Sequence, residues 1–376
     1  MSNFKLVKKS IKSKARLGMI ATEHGTIQTP FFMPDATRAA VKGLNNKDLR
    51  NLGLQSLVVN TYHLFLQPQL PVIKKAGGVH QFMNWPGPLL SDSGGYQVYS
   101  LIHKNQHNGK ITDEAVEFKS PLDGSLHKLT PENSIQIQFT LKTDMIVCLD
   151  DCPPNDLNDQ NMVVAVKRTI AWADRCRAEY RRQVKKHGRQ PLLFGVIQGG
   201  MNLSLRKACA DGLLALGFDG YGFGARPVDA QGKFLGKVLS YTADLIPEDK
   251  LRFGLGIGTP EDIVRCARMG WDMFDCVIPT REGRHGRLFF WSGKGELNKI
   301  NFYKTINITN AKFKKDFTPI NINSRLPELK EYSRAYLHHL LKTNEALGHR
   351  LSSLNNLEFY LDLMKKIRQG IKEYKL

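Results

Sequence analysis

Asp275 lies inside the apolar run Asp272-Met-Phe-Asp-Cys-Val-Ile278. A carboxylate in such a run is costly unless it is paired or used. It therefore either bonds nearby backbone or serves as a nucleophile or general acid/base. Asp92 ends a second apolar run, Pro88-Leu-Leu-Ser-Asp-Ser-Gly-Gly-Tyr-Gln97. Its glycine pair makes a tight turn that presents the carboxylate, and Tyr96 just beyond offers a flat face to a base. Asp150 and Asp151 close Asp144-Met-Ile-Val-Cys-Leu-Asp-Asp151, with Cys152 following. These carboxylates either cap a helix after Pro154 or accept N–H donors from a guanine edge of a flipped base. Gln198 closes Leu193-Phe-Gly-Val-Ile-Gln198. Its amide can donate to one base atom and accept from another, or bond the turn backbone.

Two further segments surround this set. Gly220-Tyr-Gly-Phe-Gly-Ala225 looks like a fragment of a dinucleotide fingerprint, but it comes late in the chain and lacks the downstream acidic residue. Its glycines are expected to let backbone N–H groups approach a ligand. Thr280-Arg-Glu-Gly-Arg-His-Gly-Arg287 follows the Asp275 run directly. Arg281, Arg284 and His285 among glycines suit phosphate contact, or else a solvated basic loop.

Eight short apolar runs position these residues: Thr29–Met33, Ser56–Asn60, Pro88–Asp92, Asp144–Leu149, Leu192–Gln198, Phe218–Gly224, Leu251–Ile257 and Asp272–Ile278. Helical spacing recurs between them, as in Asn161–Lys185 and Pro260–Met269. Strands alternating with helices imply a parallel sheet, and eight of them predict an α/β fold, a (β/α)8 barrel. The competing doubly wound sheet gathers its site at one switch point. Here Asp92, Asp150, Gln198, Gly224, Gly256 and Asp275 fall at C-terminal strand ends throughout the chain, which fits a ring. Residues 1–280 are read as the barrel and 281–376 as a basic segment plus a helical subdomain packed on it. In the latter, residues 279–325 show little periodicity, and helices return at Glu328–Leu341 and Leu357–Tyr374. Stretches 70–106 and 114–131 look like insertions.

The chain has 376 residues, 41% of them hydrophobic, and a formal net charge of +19. From Arg281 onward it carries 19 Lys and Arg against 9 Asp and Glu. Such an excess favours polyanionic partners, since phosphate neutralisation releases counterions. No apolar run reaches the roughly 18 residues of a membrane span, and the basic start lacks the apolar stretch of a signal peptide. A soluble cytoplasmic protein is expected. The six cysteines form no CxxC pair and no disulfide or zinc spacing, so reduced, mostly buried thiols are expected.

DSGGYQVYS, FGVIQGG, GFDGYGFG, GIGTPEDIV, DMFDCVIPTREGRHG and SRAYLHHLL together resemble the tRNA-guanine transglycosylases, from near residue 5 to near residue 370. The resemblance implies a (β/α)8 barrel that exchanges an anticodon guanine of tRNA for a 7-deazaguanine. It implies Asp275 as the nucleophile on ribose C1′ and Asp92 as the acid/base group. Asp150 and Gln198 would read the base edge, and Gly224 and Ala225 would form the base-binding turn. Tyr96 and Leu255 would sandwich the base, with Cys152 beside it. Thr280, Arg281, Arg284 and His285 would lie against the tRNA. Bacterial members pair as homodimers. The chemistry needs no cofactor: two displacements at C1′ retain configuration, as in retaining glycosidases.

The sequence departs from the family in two places. The family's zinc ligands are replaced by Ser324, Leu326, Leu329 and Asn355, which cannot bind zinc through thiolate or imidazole. No metal is expected, and apolar packing of the two leucines is expected to take its place. The base-binding turn reads Gly224-Ala-Arg-Pro-Val-Asp-Ala230, with Arg226, Pro227 and Ala230 unusual and Val228 retained. Val228 favours a small 7-substituent, hence prequeuine (7-aminomethyl-7-deazaguanine), and Asp151 stands for a common glutamate. Competing readings are a catalytically weak tRNA-binding paralogue or accessory subunit, and exchange on DNA or with another deazapurine.

Overall fold

The computed structural model describes residues 3–104, 108–155 and 157–376. All eight runs form strands of one parallel sheet: β1 (Phe31–Pro34), β2 (Leu57–Val59), β3 (Leu89–Ser91), β4 (Met145–Val147), β5 (Leu192–Ile197), β6 (Gly220–Phe223), β7 (Leu251–Gly254) and β8 (Met273–Cys276). Neighbours run β1-β8-β7-β6-β5-β4-β3-β2. A parallel bridge between Asp35 and Val58, with the Ala36 N–H donating to the Val58 carbonyl at 2.7 Å, joins the two ends into a barrel.

Two apolar layers follow from the alternation of side chains along each strand. Phe31, Met33, Val58, Leu90, Phe194, Phe253 and Met273 fill the interior. The outward-facing Phe32, Val59, Leu193, Ile197 and Phe274 pack against the helices in the larger cluster. Strand β6 carries Gly220 and Gly222 at its inward positions, because the interior there is already full. A Cβ on Gly220 would lie 2.5 Å from Phe194, and one on Gly222 would lie 2.4 Å from Leu255.

Charged residues at the N-terminal ends of the strands are structural. Asp272 starts β8 and is ion-paired with buried Arg16 at 2.5 Å. Asp144 starts β4 and accepts the Leu89 N–H at 2.9 Å. The chain thus places Asp272 and Asp275, three residues apart, at opposite mouths of the barrel.

Three elements differ from the sequence reading. Residues before β1 form an antiparallel sheet, Phe4–Lys9, Arg16–Thr22 and Gly25–Thr29. Its Phe4, Ile20 and Ile27 extend the interior core, while the lysines of its first strand, FKLVKK, mask the alternation there. The basic segment after β8 is a helix, Ile278–Arg284, followed by the hairpin Arg287–Trp291 and Tyr303–Asn307. This helix crosses the expected boundary at 280. Gly283 lets it lie against the C-terminal helix Ala346–Lys372, where a Cβ would meet the Ser352 carbonyl oxygen at 2.9 Å. The helix expected over 328–341 is two, Pro327–Glu331 and Arg334–Lys342, with Ser333 capping the second.

The C-terminal helix is tied to the barrel. Tyr360 donates to the Gly258 carbonyl at 2.7 Å, and Arg368 donates to the Pro30 carbonyl at 2.7 Å. No helix among the described residues is long and apolar enough to cross a membrane. The six cysteines are free thiols, five of them buried.

Candidate active site

The C-terminal mouth of the barrel gathers the chemistry. Asp275 is partly exposed at the end of β8. One of its oxygens accepts the Gly256 N–H at 3.0 Å, so the backbone-bonding alternative is met while the second oxygen stays available. Burial raises its pKa to about 6, against the pull of the Gly256 amide.

Asp92, beyond β3, is held far more firmly. It accepts from Thr61 N–H at 2.8 Å, Asn60 Nδ2 at 2.5 Å, Gly94 N–H at 3.2 Å and Gln97 Nε2 at 3.2 Å. Burial, reinforced by the negative charge of Asp275, lifts its pKa to about 7 although the amide donors pull it down. Two carboxylates of which the one with the lower pKa, Asp275, ionises first and Asp92 titrates near neutrality suit a nucleophile and an acid/base partner. Gly94, with φ of +79°, makes the turn that frees the carboxylate.

Asp150 and Gln198 form one unit. Gln198 Nε2 donates to Asp150 Oδ2 at 2.6 Å, which sets aside the alternative of a turn amide bonded to backbone. Both residues are buried, and among the described residues Gln198 Oε1 has no partner. An orphaned buried acceptor is costly unless a ligand supplies a donor. Asp150 keeps further acceptor capacity, and burial lifts its pKa to about 6. Neither Asp150 nor Asp151 caps the following helix. Asn158 does so, accepting from the Asn161 N–H, and Asp151 pairs with Arg168 at 2.6 Å. Cys152 lies beside this unit. Burial and the Asp150 charge push its thiol to about 12, so it is a neutral neighbour rather than a nucleophile.

Gly224 has a different use from the one expected. Its N–H already donates to the Ile197 carbonyl at 2.9 Å, so that amide is not free for a ligand. A Cβ there would lie 2.4 Å from Gln198 Nε2, so the glycine makes room for the Gln198 amide. Ala225 has φ of +125°, a conformation that costs a non-glycine residue about 1–3 kcal/mol. The following turn is pinned by Asn155, which donates to the carbonyls of Arg226 at 2.9 Å and Val228 at 2.8 Å.

Tyr96 is exposed at the start of helix Gly95–Lys104, and partly buried Leu255 stands two residues beyond interior Phe253. Arg281 and His285 are exposed on and just after the helix that follows β8, and Arg284 is half-buried, its Nη1 unpartnered among the described residues. Thr280 is turned inward, its hydroxyl 3.3 Å from the Val277 carbonyl.

Four residues escaped the sequence reading. Asn60 and Gln97 hold Asp92, as given above. Fully buried Arg206 donates to the carbonyls of Gly200, Ile197 and Gly224 at 2.8, 3.1 and 3.0 Å, and so fixes the ends of β5 and β6. Asp35 ends β1 as Asp92 ends β3. Its signal was the same, an aspartate closing the apolar run Phe31-Phe32-Met33-Pro34.

Among the described residues one group has donor atoms close enough for a metal, His24, His80 and Asp144. It lies at the opposite mouth, by the start of β4. At the family's zinc positions, Ser324 donates to Glu358 at 2.5 Å and Asn355 donates to the Phe289 carbonyl at 3.1 Å. Leu326 and Leu329 are buried. This donor set does not fit zinc.

Fold and mouth thus define a (β/α)8 barrel whose C-terminal mouth gathers Asp92, Asp150, Gln198 and Asp275. The family model described as queuine tRNA-ribosyltransferase matches residues 10–376. The chain is 42% identical over 371 residues to the queuine tRNA-ribosyltransferase of Halothermothrix orenii, covering 99% of this chain and 94% of that protein. It is 43% identical over 365 residues to that of Shouchella clausii, with 97% and 91% covered. It is 40% identical over 370 residues to that of Staphylococcus aureus, with 98% and 92% covered. The chain belongs to the queuine tRNA-ribosyltransferase family.

Proposed function

We infer that this protein is a tRNA-guanine transglycosylase of queuosine modification, acting in the cytoplasm. The observation that carries the reading is the pairing of Asp275, which keeps an oxygen available, with Asp92, which is locked by four donors. The base must first be flipped from its loop to reach them. The Asp275 carboxylate attacks C1′ of the ribose. The C1′–N9 bond breaks through an oxocarbenium-like transition state, and guanine leaves with a proton from the acid form of Asp92. The incoming 7-deazaguanine then returns its N9 proton to Asp92 and displaces Asp275 from C1′. Atoms and charge balance, and configuration is retained.

Asp150 and the orphaned Gln198 oxygen read the base, Tyr96 and Leu255 flank it, and Cys152 lines its pocket. Gly224 makes room for Gln198, while Ala225 leads into the base-binding turn. Thr280, Arg281, Arg284 and His285 are assigned to the tRNA side, with Thr280 supporting the helix that presents the others. Val228 in the pinned turn favours prequeuine as the incoming base. The subdomain works without zinc, its place taken by Leu326, Leu329 and the Ser324–Glu358 bond. Exposed Phe317, Ile322 and Tyr336 support pairing with a second copy.

Labelled guanine incorporation into unmodified tRNA tests this reading, with Asp275→Ala beside wild type. Exchange by wild type alone is expected. Wild type that binds tRNA and exchanges nothing would instead favour the accessory-subunit reading. Light scattering tests the dimer, and a monomer at assay concentration counts against it.

A further inference from the structure

Inward-facing residues stack in layers up the barrel. Two residues beyond interior Met33, Val58, Leu90, Val196, Phe253 and Met273 stand Asp35, Asn60, Asp92, Gln198, Leu255 and Asp275. Five of these six already have a part in the proposed reaction. Asp35 belongs to the same layer and has none.

Its neighbours define what it meets. Pro34 pairs with Cys276, so β1 lies directly beside the nucleophile strand β8, and Asp35 itself bridges to Val58 on β2. The base-reading residues come from β4 to β7, on the other side of Asp275. A nucleotide bonded at C1′ to Asp275, with its base directed toward β4–β7, turns its sugar toward β1. Asp35 is partly exposed, and among the described residues no donor binds its carboxyl group. Burial, then the charges of Asp275 and Asp92, hold its pKa well above the ordinary value. A protonated carboxyl there can donate as well as accept, and an ionised one accepts from a hydroxyl.

We propose that Asp35 is a specificity-determining residue that hydrogen-bonds the 2′-hydroxyl of the nucleotide whose base is exchanged. That hydroxyl is one carbon from the C1′ attacked by Asp275, and it is the group that separates RNA from DNA. The proposal rests on the transglycosylase reading.

The test uses an anticodon stem-loop RNA with either ribose or a single 2′-deoxyribose at the exchanged guanosine. Guanine exchange kcat/KM is measured for wild type, Asp35→Ala and Asp35→Asn. Wild type should prefer the ribose substrate by roughly ten-fold, the effect of one hydrogen bond of about 1.4 kcal/mol. Asp35→Ala should bring the two substrates within about two-fold of each other. Asp35→Asn, which still donates and accepts, should keep most of the preference. Equal losses on both substrates in Asp35→Ala, or a wild type with no preference, would overturn the assignment. A wild type that exchanges neither RNA would sink the transglycosylase reading, and the assignment with it.

Discussion

Asp275→Asn should make the protein more stable while abolishing exchange. The carboxyl of Asp275 titrates near 6 in the folded protein against an ordinary 3.8, with burial as the leading cause. The folded state thus holds this proton more tightly than the unfolded chain does. The linkage sign follows: stability contributed by this group is full below about pH 4 and is lost as pH rises through about 6. Two pH units correspond to about 3 kcal/mol at 1.36 kcal/mol each, and partial exposure reduces this to about 2 kcal/mol. Asparagine cannot ionise, and its Oδ1 still accepts the Gly256 N–H. Urea unfolding at pH 8 should therefore show Asp275→Asn more stable by about 2 kcal/mol, with the gain gone near pH 4. Equal stability of the two proteins at pH 8, or a gain that persists at pH 4, would refute the reasoning.

Gly224→Ala should displace the Gln198 amide from Asp150, because the new Cβ falls 2.4 Å from Nε2 and 2.8 Å from Val196 Cγ1. Exchange kcat/KM should fall by roughly ten-fold or more, and activity within two-fold of wild type would contradict the packing argument. Arg206→Leu leaves the buried carbonyls of Gly200 and Gly224 without their donor, while that of Ile197 keeps the Gly224 N–H. A loss of about 3 kcal/mol is expected in urea unfolding. Leu329→Ala should cost about 2–5 kcal/mol, as for other fully buried leucines. A metal chelator should leave the melting temperature of the wild type unchanged, and a chelator-induced drop would show that a metal is held after all.

All eight barrel strands were legible because each is an apolar run bounded by a polar or glycine residue. Asp275, Asp92, Asp150 and Gln198 were legible because polar groups at strand ends stand out from such runs. Asp35 obeys the same rule, but the run was ended at Met33, before Pro34, so the aspartate two residues on fell into an unread loop. Asn60 was placed on a strand, yet nothing local announces that its amide holds an aspartate 32 residues away. Arg206 looked like one more charge on a helix, since its burial depends on the ends of two distant strands. The glycines of β6 could not be understood from their own segment, because what they make room for, Phe194, Leu255 and Gln198, comes from β5 and β7. Helix Ile278–Arg284 was hidden by its glycine and its arginines, and it is stabilised by packing on the C-terminal helix.

The most direct test of the central claim is to trap the enzyme covalently on tRNA, digest the adduct, and locate the modified residue by mass spectrometry. A ribose-linked mass on Asp275 in wild type and no adduct in Asp275→Asn are expected. Adduct formation should slow as pH falls through about 6, where the nucleophile takes up its proton. An adduct carried by another residue, or one that persists in Asp275→Asn, would contradict the claim.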